Sequence, residues 1–170
     1  MAGFPEHVFY GDNPAQLRQG EWTSDRRFLD ILRKSWLTHY ADYLGEDKAA
    51  EYLQQLTEQE RLFDHHEPLT IHAWVDGRIV GISALRPLPE IKLITMLEVH
   101  PDFQGLGIGT QLLKALCSAS DRLMAHVSIH QPRVLDFYRR AGFHVLQRSR
   151  ERHDAHVLEF DVVAKTTGEG

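Results

Sequence analysis

The chain has 170 residues, of which 42% are hydrophobic and 25% charged, with a formal net charge of −5. That length favours one domain with a substantial core, and the negative balance argues against broad binding to nucleic acid or to anionic membranes. One cysteine, Cys117, excludes an internal disulfide scaffold, and the sequence has no run of about 18 apolar residues to span a bilayer. The opening residues, Met1-Ala2-Gly3-Phe4-Pro5-Glu6, lack the basic start and apolar stretch of a secretory signal, so a reducing, cytoplasmic setting is expected.

Residues 1–23 give a weak signal: a short strand over His7–Tyr10, ended by the turn Gly11-Asp12-Asn13-Pro14. Thr23 or Ser24 fits a helix N-cap, and Phe28, Ile31, Leu32, Ser35 and Trp36 then recur at helical spacing to about Tyr43. A second helix is expected from Lys48 to Leu62, with Ala49, Tyr52, Leu53 and Leu56 on one face. Leu69, Ile71, Ala73 and Val75 alternate with Thr70, His72 and Trp74 as a strand, Asp76-Gly77 is a hairpin turn, and Ile79–Leu85 returns. Leu93–Val99 is apolar on both faces except at Glu98, the pattern of a central strand.

A glycine-rich loop and a helix over Gln111–Ala119 follow, then a strand over Leu123–Ile129 that lies parallel to Leu93–Val99 if the helix is a crossover. Pro132 opens a helix in which Val134, Phe137, Tyr138 and Ala141 share a face, and Gly142 ends it. Phe143–Arg148 and His156–Val162 are the last strands, joined by a polar Arg- and His-rich loop, and 165–170 is expected to be a disordered tail after a single domain over 1–164. The fold class is α+β: a mixed, mainly antiparallel sheet flanked by helices, with a central βαβ unit.

Chemistry concentrates at Glu98-Val99-His100-Pro101-Asp102-Phe103-Gln104-Gly105-Leu106-Gly107-Ile108-Gly109-Thr110. Strand, glycine loop and helix in that order present free backbone N–H groups and the positive end of a helix dipole to an anion. Glycines there permit left-handed conformations and a close approach of the backbone. A Walker loop needs a lysine after its last glycine, and none follows Gly109. The dinucleotide fingerprint places its third glycine at Thr110, and the sheet ahead of the loop reads as antiparallel.

Gln104-Gly105-Leu106-Gly107-Ile108-Gly109 resembles the Q/R-x-x-G-x-G/A motif of the GCN5-related N-acetyltransferases, and Phe137-Tyr138-Arg139-Arg140-Ala141-Gly142-Phe143 resembles that family's second signature. The order of elements is similar too, over about residues 25–162. The resemblance implies transfer of an acetyl group from acetyl-CoA to a primary amine of a small molecule or peptide, by direct attack in a ternary complex and without a metal. It also implies that backbone groups of Gln104, Gly105, Leu106, Gly107, Ile108, Gly109 and Thr110 hold the pyrophosphate, and that Leu97 and Val99 pair with the pantetheine arm. Gln131 stands where the family often has asparagine near that arm. Tyr138 is then the general acid for the CoA thiolate, set against a purely core-packing role. Glu98, with Ile94 and Met96 assigned to its strand face, is the candidate base, set against a solvent-facing carboxylate; His72 and His100 are the runners-up.

Cys117 reads as core rather than nucleophile, and the scattered histidines show no metal-ligand spacing. Trp36, His39, Tyr40, Tyr43, His65, His66 and Glu67 are the residues expected to shape the acceptor site. Dimers are common in the family, so a homodimer is an open expectation. The alternative function is a non-catalytic acyl-CoA-binding sensor or interaction module.

Overall fold

The structure, a computed structural model, describes residues 15–20, 31, 33–34, 37, 41, 45–58, 69–153 and 156–166. The expected strand at His7–Tyr10, the cap at Thr23 or Ser24, most of the helix to Tyr43, the end of the second helix and His65, His66 and Glu67 lie outside those residues, as do Trp36, His39, Tyr40 and Tyr43. Among the described residues, seven strands form one sheet in the order β1-β2-β3-β4-β5-β7-β6. They are β1 (Gln16–Gly20), β2 (Leu69–Val75), β3 (Arg78–Pro87), β4 (Lys92–Val99), β5 (Arg122–Ser128), β6 (His144–His153) and β7 (His156–Thr166). The helices with described bounds are α1 (Glu46–Glu58), α2 (Ile108–Ala119) and α3 (Pro132–Arg140). Among the described residues, β4 and β5 alone pair in parallel; the other pairs are antiparallel. This is the mixed, mainly antiparallel α+β sheet with a central βαβ unit that the sequence predicts.

Local chemistry explains most boundaries. Asp76 and Gly77 both have positive φ, 48° and 74°, the signature of the two-residue turn that matches strand twist between β2 and β3. α1 begins at Glu46, two residues ahead of the expected start, directly after left-handed Gly45, and its first turn carries Glu46 and Asp47, which favour the positive helix end. α3 ends in a Schellman arrangement: Gly142 adopts φ +91°, its N–H donates to the Arg139 carbonyl, and the Phe143 N–H donates to Tyr138. The Lys165 ammonium donates to the Ala141 carbonyl at 2.7 Å and completes that cap.

Three expectations are corrected. β1 is a strand that the sequence does not announce, because only Leu17 of Gln16–Gly20 is apolar, and one fully buried side chain suffices at a sheet edge. The loop expected after Arg148 is mostly strand, since cross-strand pairs of Arg148 with Asp161 and of Arg150 with Glu159 hold a polar hairpin together. Lys165 and Thr166, expected to belong to a disordered tail, pair instead with Leu123 and Arg122, so β7 runs through them.

The core lies between the sheet and the helices α2 and α3. Ile108, Leu112 and Leu116 of α2 meet Val80, Leu85, Ile94, Leu123 and Ala125 of the sheet. Gly81 lets α2 approach: a Cβ there would stand 3.0 Å from Leu112 Cδ1 and 3.2 Å from Ile108 Cγ2. Burying α2 in this way fixes its N-terminus at the end of β4.

Candidate active site

The site begins with a split in the sheet. β4 pairs with β5 only over Lys92, Leu93 and Ile94, opposite Leu123, Met124 and Ala125. A bulge explains the parting. Met96 pairs with Ala84 and Ile94 with Leu85, so Thr95 is an extra residue on β4. Such an insertion bends the strand and raises its twist, which turns Thr95–Val99 away from β5. β4 therefore sits centrally but is mostly half-buried, with only Ile94 buried, where the apolar run predicted cover on both faces.

The bulge also swaps faces. Glu98 pairs with Ile82 and Met96 with Ala84, on the side away from α2, while Ile94 pairs with Leu85 in the core. Ile94 therefore does not share a face with Glu98, as the uninterrupted strand pattern suggested. Leu97 and Val99, paired with Ser83 and Gly81, face the α2 side.

The glycine loop continues from the open end of β4. Pro101–Phe103 make one 3₁₀ turn, then Gly105 and Gly107 adopt φ of 79° and 83°. Both are left-handed positions that disfavour a side chain. Gly107 caps α2 without a side-chain bond, so the first N–H groups of the helix are left to the groove in front of it. Gly109 is helical instead. A Cβ there would meet Val99 Cγ2 at 3.7 Å and the Phe137 ring at 3.8 Å, so its contribution is low relief on the groove wall.

A groove of about 920 Å³ joins these parts to α3. Of the residues singled out from sequence, it brings together Leu97, Val99, Gln104, Gly105, Gly107, Ile108, Gly109, Thr110, Gln131 and Tyr138. It does not include Leu106, whose side chain is 51% exposed at the loop tip, or Glu98. Sequence reading missed His130, Arg133 and Arg140 on the groove wall. The available signal was spacing: Arg133 and Arg140 are two helical turns apart, on the face shared by Phe137. Among the described residues, no carboxylate lines the groove.

Tyr138 is 5% exposed and packs edge-on against Phe137 and Phe143, with ring centroids 5.4 and 5.1 Å away. Burial, followed by the negative charge of Glu98 and by Cys117, pushes its phenol well above the ordinary tyrosine range. It is protonated throughout the neutral range. Glu98 acts on it from a strand residue that faces away from the groove.

The other candidates separate on geometry. His100 Nδ1 accepts from the Asp102 N–H at 3.1 Å, so the neutral ring carries its hydrogen on Nε2 and has no open acceptor. His72 is buried, and burial lowers its pKa, which keeps it neutral. It lies two strands from Glu98 on the same face, with Ile82 between them. Cys117 is half-buried against the core, and burial raises its thiol pKa despite the nearby Lys165, so it is a packing residue rather than a thiolate. Among the described residues, no cluster of three His, Cys, Asp or Glu side chains is placed to hold a metal ion.

Residues 27–143, more than half of the chain, match the family model described as Acetyltransferase (GNAT) family. The chain belongs to the GNAT acetyltransferases. No curated protein sequence matches it. Solved acetyltransferase structures share its fold. The PaiA N-acetyltransferase of Thermoplasma acidophilum, in complex with coenzyme A, is 18% identical with a TM-score of 0.69, covering 89% of this chain and 98% of its own. A GCN5-related N-acetyltransferase from Rhodopseudomonas palustris is 23% identical with a TM-score of 0.69, covering 94% and 99%. YncA of Salmonella typhimurium, with acetyl-CoA, is 15% identical with a TM-score of 0.61, covering 92% and 95%.

Proposed function

We propose that this GNAT protein transfers an acetyl group from acetyl-CoA to a primary amine of a small molecule or peptide, by direct attack in a ternary complex. The observation that carries the reading is the continuity of the β4–β5 split with the glycine loop and the α2 N-terminus. That groove suits a long ligand with an anionic end and a narrow, amide-rich arm. Backbone N–H groups from Gln104 to Thr110 hold the pyrophosphate, and Arg133 and Arg140 add positive charge to a wall on which the described residues place no carboxylate. The arm lies along the edge of Leu97 and Val99, past Gln131. The chain as a whole is negative, so this groove is a local exception in charge.

The amine lone pair attacks the thioester carbon, and charge moves to the carbonyl oxygen. The Val99 N–H, which faces the split, donates to that oxygen. Collapse breaks the C–S bond, and the thiolate takes a proton from the Tyr138 phenol. The ammonium proton passes to Glu98, directly or through water, from the sheet face away from the groove. We place this chemistry in a reducing, cytoplasmic setting that keeps Cys117 a free thiol. The test is thiol release from acetyl-CoA across a panel of amines. Amine-dependent release is expected; tight CoA binding with no such release for any amine would assign the chain to the sensor class instead.

A further inference from the structure

The corner where β4 meets the loop is braced by side chains whose bonds the roles above leave unused. Glu98 pairs with Ile82 of β3, and the His100 N–H donates to the Val80 carbonyl at 2.7 Å. Successive residues of a strand send their backbone groups to opposite edges, so the N–H and C=O of Val99 face the split. In the split the Val99 carbonyl is engaged: the Gln104 carboxamide donates to it from Nε2 at 3.2 Å. The peptide unit between Val99 and His100 is therefore held at its oxygen by Gln104 and at its nitrogen by Val80. The bond from the Asp102 N–H to His100 Nδ1 tightens the same turn.

Gln104 is exposed, and water would satisfy an exposed carbonyl equally well. Holding a long side chain in one rotamer also costs conformational freedom. Stability alone is therefore a weak reason for the bond, whereas a fixed orientation of Val99 is a specific result of it. Gln104 also opens the loop whose main chain faces the pyrophosphate.

We propose that Gln104 is a positioning residue: by holding the peptide plane that follows Val99, it fixes the backbone torsion at Val99, and through that torsion the adjoining plane whose N–H is aimed at the thioester oxygen, and it ties that aim to the cofactor loop. This rests on the proposed function, in which Val99 supplies the oxyanion donor. The competing role is a direct side-chain contact from Gln104 to the pyrophosphate.

The experiment uses the full chain labelled with ¹⁵N-valine, with CoA and acetyl-CoA as probes. In the wild type, the Val99 amide proton should move further downfield with acetyl-CoA than with CoA. Saturated with either probe, Gln104→Ala should lose the acetyl-specific shift. Gln104→Glu, of the same shape but without a donor when ionised, should also lose the shift. Gln104→Arg, which restores an N–H donor, should recover it. Retention of the shift at saturation in the Ala and Glu variants overturns the proposal. So does a CoA affinity tenfold weaker in Gln104→Ala with the shift intact, or a wild type that binds both probes with no acetyl-specific shift. A wild type that binds neither probe refutes the proposed function itself.

Discussion

Tyr138 shows why a residue's role is hard to decide from its pattern. Its spacing with Val134, Phe137 and Ala141 marks a core face, and its motif marks an acid. The structure gives it both settings, since it packs between Phe137 and Phe143 and also lines the groove. Burial keeps the phenol neutral, which a proton donor needs. The sign is clear: with its folded pKa raised, Tyr138 stays protonated where an unfolded chain would begin to ionise, near pH 10. Tyr138→Phe keeps the packing and removes the proton. Turnover should fall about 10²-fold or more, with acetyl-CoA binding little changed. Steady-state kinetics at saturating acetyl-CoA measures this, and a variant with full turnover removes Tyr138 as the acid. Glu98 was legible as a carboxylate beside the loop, but its surroundings were not. An extra residue at Thr95 sends Ile94 to the other face, and no strand periodicity announces a bulge.

Elements were legible where the chemistry is local. Asp76-Gly77 fixes the β2–β3 hairpin, and Pro132 with Gly142 frames α3, because those residues select backbone angles themselves. β1 and the outer half of β6 were not, because tertiary partners stabilise them: Leu17 in the core, and Asp161 and Glu159 across the β6–β7 ladder. The loop lies between these cases. Its three glycines were visible, but only Gly105 and Gly107 are left-handed, and Gly109 is not. Two substitutions separate the roles. Gly107→Ala should destabilise the fold by about 1–2 kcal/mol, the usual cost of a Cβ in that conformation. Gly109→Ala meets only ordinary contacts at Val99 and Phe137 and should unfold within about 0.5 kcal/mol of wild type, while narrowing the groove. Urea denaturation of the two variants supplies the comparison, and equal stabilities would contradict the assignment.

At the scale of the molecule, the sheet is two half-sheets joined by a short seam. β1 to β4 form one, β5, β7 and β6 the other, and three residue pairs join β4 to β5. α2 and α3 pack across the core and hold the halves together on one side. A ligand lying in the split contacts β4, the α2 N-terminus and α3 at once, so binding should stabilise the whole fold rather than one loop. Linkage sets the scale: ligand at a hundredfold excess over Kd adds about 2.7 kcal/mol. For a chain of this size that is on the order of 5–10 °C in melting temperature. CoA and acetyl-CoA should each produce such a rise, and ATP or NAD at the same concentration should produce much less, because neither has the arm that enters the split. Amide exchange adds the location: protection should grow at Leu97 and Val99, whose backbone groups face the opening, more than at Ile82 and Ala84, already paired within the sheet. Equal stabilisation by ATP, or protection confined to the glycine loop, would mean that the ligand sits on the helix N-terminus alone and that the split has no part in holding it.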